Sequence, residues 1–392
     1  MKAKMFELDL EYQKRELRRI YEGAPFLRKI RFGLLEKALE EGKILFIEGA
    51  GQPAFRVKRD FKGLSAGTVL AKDFFLPGFP HIPRIFCLKT GLVRYMSGPF
   101  YAEEKIEGYN VRLVNFFGSI LAFTRRGYIC PFATDRWPDF LPALPTFFAE
   151  YPDYALCCEV AGPENPFVTE YPPYIKEDVA FFVFDVIDLK RQRFLPPEEK
   201  YALLRRFGFR TPEISGPFWA SEVEALKELI LRYDQEGREG LVFKPVGKGR
   251  VIKYVTSASN LGDLRVAFPF IGELEASYIV HRLVRLALGR WELGQPFDES
   301  FYKDLGQALF GEMNIILDRV KAKKPVEEIF RIRLRREESL EALLAHFRAA
   351  RVRIEIHKVE KKGRYWCVEF AKIYPRATSF WANKIEGLAQ ID

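Results

Sequence analysis

The feature that most constrains this sequence is a lysine enclosed between two runs of strand-forming residues. Within residues 104–112, which read E-K-I-E-G-Y-N-V-R, Lys105 is followed by an acid two residues later and then by Gly108. Aromatic and β-branched residues on both sides favour strands, and glycine permits a tight turn or a close approach of the backbone to a ligand. The pattern predicts a strand–turn–strand unit that holds Lys105 beside a cleft.

The K-x-E-G tetrapeptide is weak evidence by itself, because it occurs by chance in many proteins and then marks a solvated hairpin turn. Its significance comes from stretches that follow it in a fixed order. These are T-R-R-G at residues 124–127, E-V-A-G-P-E-N-P-F at 159–167, F-F-V-F-D-V at 181–186, and E-G-L-V-F-K at 239–244 with Lys253 soon after. Taken singly, each stretch has an ordinary explanation, such as a strand-end acid, a core phenylalanine or a surface lysine. Together and in this order, they favour a functional site.

The composition is that of a folded, basic protein. Of 392 residues, 48% are hydrophobic and 29% are charged, which excludes a disordered chain and allows about two to four domains. The formal net charge of +9 and the 15% aromatic content favour a polyanionic partner such as nucleic acid.

The sequence also limits where the protein is found. The longest apolar run, residues 179–187, is too short to span a bilayer and contains Asp185, and the first residues lack the apolar segment of a secretory signal. The five cysteines form no C-x-x-C pair and the four histidines are scattered. We therefore expect a cytoplasmic protein with reduced thiols, without a zinc site and without a membrane.

Hydrophobic periodicity predicts an α+β fold in four parts. Residues 1–64 carry two helical patterns and a strand, and residues 65–260 are chiefly antiparallel strands with two helices. Residues 261–325 are predicted to form two long amphipathic helices, over 271–289 and 300–321. Residues 326–392 alternate strands and helices, which indicates a small separate α+β module.

With these stretches in place, the sequence resembles the covalent nucleotidyltransferases, which include ATP-dependent DNA and RNA ligases and mRNA-capping enzymes. The stretches correspond in order to the K-x-D-G, S-R, ribose-binding, F-D and E-G-x-V-x-K elements of that superfamily and to its terminal lysine. E-E-K-I-E-G-Y-N-V-R, C-P-F-A-T-D-R and A-G-P-E-N-P are similar to the archaeal-type RNA ligases, homodimeric enzymes that join or circularise single-stranded RNA. The resemblance is clear over residues 100–256.

The resemblance gives each part of the chain an expected role. It implies an N-terminal subdomain at 1–64, a nucleotidyltransferase (adenylation) domain at 65–260, a helical dimerisation domain at 261–325 and a C-terminal α+β domain at 326–392. It implies ATP and Mg²⁺ as cofactors, with Mn²⁺ as a substitute for the metal. The implied partners are single-stranded RNA, with single-stranded DNA left open, and a second copy of the chain.

The resemblance also implies roles for residues around the nucleotide base and sugar. Lys105 corresponds to the nucleophile that forms a phosphoramidate with AMP. The backbone of Glu104 is expected along the adenine edge, with Phe184 stacked on the ring and Phe182 pointing to the same side. Glu159 is expected to accept hydrogen bonds from the ribose hydroxyls.

A second group of residues is expected near the phosphates. Arg125 corresponds to the family's S-R arginine and would bind the ribose or the RNA end, with Arg126 as the alternative. Asn110 and Arg112 would hold the α-phosphate and nearby groups. Glu239 is the expected metal-proximal carboxylate, and Lys244 and Lys253 are the expected α-phosphate contacts. The family usually has a second lysine two residues after the one that corresponds to Lys253, and this sequence has none there. Lys248 or Arg250 could supply its function.

This chemistry requires an uncharged amine, although an isolated lysine has a pKa near 10.4. Nearby cations such as Lys244 and Lys253, a metal ion and partial desolvation would each disfavour the ammonium form of Lys105. The sequence therefore predicts a depressed pKa for Lys105.

Two alternatives remain at this point. A DNA ligase or a capping guanylyltransferase would share the same motifs, but both usually carry an OB-fold after the last lysine, where residues 265–325 read as helices. A non-catalytic protein that binds single-stranded nucleic acid would explain the basic and aromatic composition, but it would not need the lysine and carboxylate set.

Overall fold

The computed structural model describes residues 9–388, except for the side chain of Pro25, and its strands form four antiparallel sheets. The strands are β1 (Ile44–Gly49), β2 (Gln52–Val57), β3 (Val69–Ala71), β4 (Phe74–Leu76), β5 (Phe100–Lys105), β6 (Tyr109–Phe116), β7 (Ser119–Thr124), β8 (Tyr154–Ala161), β9 (Ala180–Asp188), β10 (Arg193–Phe194), β11 (Ile214–Phe218), β12 (Gly240–Pro245), β13 (Ile252–Val255), β14 (Glu327–Leu334), β15 (Arg353–Lys362) and β16 (Tyr365–Ile373).

The α-helices lie before, between and after these strands. They are α1 (Leu10–Gly23), α2 (Phe32–Glu40), α3 (Leu88–Tyr95), α4 (Pro131–Phe140), α5 (Leu144–Glu150), α6 (Pro197–Arg206), α7 (Val223–Gln235), α8 (Ser257–Ala267), α9 (Ala276–Glu292), α10 (Glu299–Phe310), α11 (Met313–Lys321), α12 (Glu338–Ala349) and α13 (Pro375–Ile385). The predicted α+β class is confirmed.

Two sheets in the middle of the chain position the Lys105 region. One has the strand order β10-β9-β8-β6-β7, and the other has the order β11-β5-β12-β13. The strands on both sides of Lys105 form as predicted, but β5 and β6 do not pair with each other. They enter different sheets, because the connecting residue Ile106 is buried in a small apolar cluster with Ala161 and Phe182. The turn therefore links the two sheets.

Gly108 explains how the chain passes between the sheets. A Cβ at this position would lie 2.5 Å from the carbonyl oxygen of Val160 on β8, a distance that no ordinary side chain tolerates. The glycine is required by this close approach of two backbones, as the sequence suggested, and not by a hairpin turn.

The region after β13 is helical, as predicted, but the number and the bounds of its helices differ from the prediction. Helix α8 begins directly after β13 and was not expected, and the second predicted long helix is two helices, α10 and α11, separated at residues 311–312. No strand occurs between residues 256 and 326. Among residues 9–388, no helix is long and apolar enough to cross a membrane.

The three-stranded sheet β14-β16-β15 is joined to the central sheets by a shared core. Phe330, Ile332 and Leu334 of β14 belong to the same buried cluster as Leu113 of β6. Arg136 of α4 is fully buried and joins the two parts, because it donates to Oδ2 of Asp178 at 2.7 Å and to the carbonyl of Arg333 at 2.8 Å.

Candidate active site

Residues from both central sheets line one cleft. Its lining includes the predicted site residues Glu104, Lys105, Asn110, Arg125, Glu159, Phe184, Lys244 and Lys253. Glu239 contacts Lys105 from the neighbouring strand. Arg112 is the predicted site residue that the structure does not bring to this cleft.

Strand pairing determines which acid lies next to the amine of Lys105. In the antiparallel pair β5–β12, Lys105 lies opposite Gly240, so Glu239 is the next residue along and its Oε1 contacts Nζ of the lysine. Gly240 has a φ of +147°, and a Cβ there would lie 2.2 Å from the carbonyl oxygen of Tyr254. The glycine of the E-G pair is thus required by the packing of β12 against β13.

The pKa of Lys105 is raised, which contradicts the predicted depression. Burial acts to lower this pKa, but the carboxylates of Glu239, Glu107 and Glu159 outweigh it and favour the ammonium form. The expectation assumed that cations would dominate. In the structure, the groups that determine the charge of Lys105 are acids.

Glu159 and Asn110 lie side by side, because they are paired across β6 and β8. Burial raises the pKa of Glu159 to about 8, although Lys105, Arg125 and Lys253 act in the opposite direction. Oδ1 of Asn110 is buried without a hydrogen-bond partner. Both side chains line the cleft, so this wall presents a carboxyl group and an unused acceptor to any molecule bound there.

The structure distinguishes the two candidate arginines after β7. Arg125 lines the cleft and donates to the carbonyl of Pro80 at 3.0 Å. The carbonyl of Arg126 accepts from Arg56 at 3.2 Å, and Arg126 is not among the cleft residues. Arg125 is therefore the arginine that this geometry offers to a ligand.

A β-bulge lies in β9 beside Phe184. Cys157 pairs with Asp185 and Cys158 pairs with Val183, so β9 has one extra residue at 184. A bulge breaks the alternation of side chains along a strand and re-aims one of them; here it brings Asp185 to the face of Cys157. Phe182 pairs with the cleft residue Glu159, so it lies on the same face of β9 as Phe184, as expected. Phe184 lines the cleft, whereas Phe182 is buried in the cluster around Ile106.

Two lysines hold the bulge in place. The carbonyl of Phe184 accepts from Nζ of Lys200 at 2.9 Å and from Nζ of Lys244 at 2.7 Å. The same amines bind a buried carboxylate, with Lys200 at 2.5 Å from Oε1 of Glu103 and Lys244 at 2.7 Å from Oε2. Asp185 and the hydroxyl of Tyr201 complete this network.

This network gives Lys244 a role besides the predicted one. An ammonium group has three N–H donors, and those of Lys244 have acceptors in Glu103, Asp185 and the carbonyl of Phe184. We therefore interpret Lys244 as a support for the bulge; it also lines the cleft, and the α-phosphate contact stays a prediction. Lys200 on α6 and Glu103 were not predicted, because no local motif marks either residue as part of a site.

Lys253 is the cleft lysine without an ion pair among the described residues. Burial lowers its pKa to about 8, and the charges of Lys105 and Arg84 add to this effect. Lys248 and Arg250, the suggested substitutes for a second lysine, are exposed and do not line the cleft.

Two neighbouring side chains fix the carboxylate of Glu104. Tyr174 donates to Oε1 at 2.8 Å and Arg238 donates to Oε2 at 3.3 Å, while the backbone N–H of Glu104 donates to the carbonyl of Glu213 at 2.8 Å. That N–H is therefore engaged in strand pairing and is not available to a bound base.

Arg112 lies outside the cleft and binds backbone. Its guanidinium is fully buried and donates to the carbonyls of Pro77, Gly67 at 2.9 Å and Thr124 at 2.8 Å. Burial lowers its pKa to about 10. This position does not support the predicted phosphate contact, because the guanidinium instead fixes the segments that contain these carbonyls.

The acidic side of the cleft fits a hard cation. Oε2 of Glu239 is buried without a partner, as is Oδ1 of Asn110, and Mg²⁺ is usually held by one or two protein oxygens together with substrate phosphates and water. Within residues 9–388, no group of three or more His, Cys, Asp or Glu side chains is arranged to hold a metal without substrate.

The fold and the lysine-centred cleft are those of a nucleotidyltransferase-type enzyme, and known families match both parts of the chain. Residues 98–255 match the family described as RNA ligase, and residues 266–388 match the region described as "Ligase Pab1020 C-terminal region". The chain belongs to the ATP-dependent RNA ligase family and is a ligase.

Individual relatives agree over nearly the whole chain. The structure described as "Putative ATP-dependent DNA ligase from Aquifex aeolicus" has a TM-score of 0.86 and 36% identity, and the match covers 92% of this chain and 100% of that chain. An archaeal ATP-dependent RNA ligase has a TM-score of 0.85 and 27% identity, covering 94% and 100%. The uncharacterized protein MJ0414 of Methanocaldococcus jannaschii is 30% identical over 316 residues, which are 78% of this chain and 79% of the relative.

Replacing Lys200 tests the network behind Phe184. We expect Lys200→Met to lower the free energy of unfolding by about 3 kcal/mol, because it leaves a buried carboxylate with one partner fewer, and to weaken ATP binding through displacement of the bulge. Denaturant titration and calorimetry measure the two effects. The matched control Lys190→Met removes a lysine whose side chain is 76% exposed and should cost no more than about 1 kcal/mol. Equal stability of Lys200→Met and wild type would contradict this account.

Replacing Glu239 tests what sets the charge of Lys105. Only the neutral amine reacts with an acylating reagent, and an adjacent carboxylate raises the pKa of a lysine by about one pH unit or more. Glu239→Gln should therefore increase the acylation of Lys105 about tenfold at a fixed pH near 8, as measured by peptide mass spectrometry. Glu48→Gln, which changes an exposed acid on β1, should leave the rate unchanged. A slower reaction in Glu239→Gln would show that the carboxylate does not stabilise the ammonium form.

Proposed function

We propose that this protein is an ATP-dependent RNA ligase that joins or circularises single-stranded RNA with 5′-phosphate and 3′-hydroxyl ends. The observation that carries the proposal is the placement of Lys105 in one cleft with Phe184, Glu159 and Lys253, in contact with Glu239. The same cleft offers an aromatic ring for a base, acceptors for a sugar and a cation for a phosphate.

In the first step, Nζ of Lys105 attacks the α-phosphorus of ATP. A P–N bond forms, the bond from the α-phosphorus to the bridging oxygen breaks, and pyrophosphate leaves. Because the pKa of Lys105 is raised in the protein without substrate, the ammonium must lose a proton before attack, and the surrounding carboxylates are the available acceptors. Such a transfer depends mainly on in-line positioning and on neutralisation of charge.

The other cleft residues would position the nucleotide. Phe184 would stack on adenine, the residue Glu104 would border the base, and Glu159 would accept from the ribose hydroxyls. Arg125 and Asn110 would contact the sugar and the adjacent phosphate, and Lys253 would bind phosphate oxygens. Mg²⁺, held through Glu239 with Mn²⁺ as a substitute, would supply positive charge that offsets the carboxylates around Lys105 and the phosphate oxygens.

Two further steps would complete the reaction. The 5′-phosphate of RNA attacks the AMP phosphorus, the P–N bond breaks and Lys105 is regenerated. The 3′-hydroxyl then attacks the activated 5′-phosphate, a phosphodiester forms and AMP leaves. The net charge of +9 favours association with a polyanion.

The helical segment after β13 favours this type of ligase over the alternatives. Residues 256–326 contain α8 to α11 and no strand, whereas a DNA ligase or a capping enzyme usually carries an OB-fold there. Because the Aquifex aeolicus relative is described as a DNA ligase, a DNA substrate is the competing hypothesis.

Lys105→Ala tests the covalent step. Wild type incubated with ATP and Mg²⁺ should gain the mass of one adenylyl group on the peptide that contains Lys105, because the nucleophile is the only amine that reacts with the α-phosphate. Lys105→Ala should show no adduct and no ligation, and the control Lys89→Ala, which changes an exposed lysine on α3, should behave as wild type. Intact-protein and peptide mass spectrometry measure the adduct.

Substrate choice separates the competing functions in the same experiment. A 5′-phosphorylated RNA oligonucleotide should be joined or circularised in preference to DNA of the same sequence, as resolved on a denaturing gel. Labelling by GTP alone would indicate a capping enzyme. Salt-sensitive RNA binding that survives Lys105→Ala, with no adduct in wild type, would indicate a binding protein without catalysis.

A homodimer formed through α9 is also proposed. Val280, Val284 and Trp291 have exposed fractions of 54%, 42% and 71%, and their spacing places them on one face of the helix. A contiguous exposed apolar surface of this kind commonly marks a protein interface, and the arrangement suits a second copy of the chain.

Trp291→Glu tests the dimer. We expect this variant to sediment as a monomer at micromolar concentration, since a charge would be buried in an apolar contact, while wild type sediments as a dimer. Trp219→Glu is the matched control, because Trp219 is 55% exposed and belongs to the segment between β11 and α7. A monomeric wild type would refute the proposal.

A cytoplasmic location is proposed from the state of the thiols. None of the five cysteines is in a disulfide, which is usual for proteins of a reducing compartment.

A further inference from the structure

Arg84 lies next to Lys253 and outside the motifs. The segment before α3 runs alongside β13, where Arg84 and Lys253 form a parallel bridge. The N–H of Lys253 donates to the carbonyl of Pro83 at 3.0 Å, and the N–H of Ile85 donates to the carbonyl of Lys253 at 3.0 Å. Paired residues in such a ladder project to the same side, so Arg84 lies on the same side as Lys253, and its charge acts on Lys253.

Arg285 approaches the same strand from α9. Its Nε donates to Oδ1 of Asn260 at 2.8 Å, and Nδ2 of Asn260 donates to the carbonyl of Thr256 at 2.8 Å. Thr256 is the residue that follows β13. The buried Asn260 therefore fixes Arg285 against the end of the strand that carries Lys253.

Both arginines have unused donors. Nε of Arg84 and Nη2 of Arg285 are buried without a hydrogen-bond partner, which is rare for buried polar atoms and calls for a specific explanation. The nearby acid Asp263 binds Arg282 through Oδ2 at 2.7 Å and forms no hydrogen bond with either of these two nitrogens.

The cations also repel one another. Burial, together with the charges of Arg84 and Arg282, lowers the pKa of Arg285 to about 10, and Asp263 and Tyr278 act in the opposite direction. The charges of Lys105 and Arg84 lower the pKa of Lys253 in the same way. A bound anion would relieve this repulsion and supply the missing acceptors.

We propose that Arg84 and Arg285, together with Lys253, form a binding site for a substrate phosphate group, either the β- and γ-phosphates of ATP or the terminal 5′-phosphate of RNA. The inference rests on the proposed function, since it extends the cleft around Lys105. Planar guanidinium groups suit this ligand, because each can donate two parallel hydrogen bonds to phosphate oxygens. The helical segment thereby contributes a residue directly to substrate binding.

The test measures phosphate binding to the full-length protein without turnover. Calorimetry with pyrophosphate should show about 10- to 100-fold weaker binding in Arg84→Ala and in Arg285→Ala, the effect expected for loss of a charged hydrogen bond, while AMP binding is unchanged. Arg285→Lys should be intermediate, because it keeps the charge but loses the planar fork. The matched control is Arg290→Ala on the same helix, whose guanidinium donates to the carbonyl of Pro296.

A second arm identifies the source of the phosphate. Binding of a 5′-phosphorylated RNA oligonucleotide is compared with that of its 5′-hydroxyl form. Loss of pyrophosphate affinity assigns the site to ATP, and loss of the preference for the 5′-phosphate assigns it to RNA; either result supports the proposal. Thermal unfolding confirms that the variants are folded, as expected for substitutions that remove unpaired charges.

The proposal is overturned if folded variants bind pyrophosphate and distinguish the two RNA ends as wild type does. Failure of the proposed function has a different signature, since wild type would then form no adduct on Lys105 even if phosphate binding depended on Arg84 and Arg285.

Discussion

The antiparallel pairing of β5 with β12 is the interaction on which the site depends. It places Lys105 opposite Gly240 and brings the carboxylate of Glu239 into contact with Nζ of Lys105. A slip of one residue would turn Lys105 to the other face of the sheet. The pairing also determines the charge of the site, because the carboxylate of Glu239 favours the ammonium form of Lys105 against burial.

The opposite wall depends on a second local irregularity. The bulge in β9 leaves the carbonyl of Phe184 outside the strand ladder, and Lys200 and Lys244 satisfy it. Buried ammonium groups are costly unless each is paired, and here Glu103 lies between both of them and holds them together. An aromatic residue in the cleft and a buried charge network beneath it are thus one structural unit.

The parts that follow the central sheets are connected to the site. The hydroxyl of Ser259 on α8 lies 3.5 Å from Oε2 of Glu107, and Arg285 on α9 binds Asn260 at 2.8 Å. The C-terminal sheet shares its core with β6, and Asp135 of α4 accepts from Ser339 of α12 at 2.8 Å. Contacts with the central part of the chain therefore cross the boundaries predicted near residues 260 and 325, and these segments pack against the region that contains the cleft.

The sequence by itself determined the α+β class, the strands around Lys105 and the set of motifs that meet at the cleft, because strand propensity and the order of short motifs are local properties. Only the tertiary structure decided that β5 and β6 enter different sheets, that Arg112 binds backbone, and that Lys244 is paired with Glu103 and Asp185. The same holds for the bulge at Phe184 and for Arg84, Lys200 and Arg285. These features depend on which distant groups share a buried space, and the pKa of Lys105 is raised most by one of them, Glu239, which is far from it in the chain.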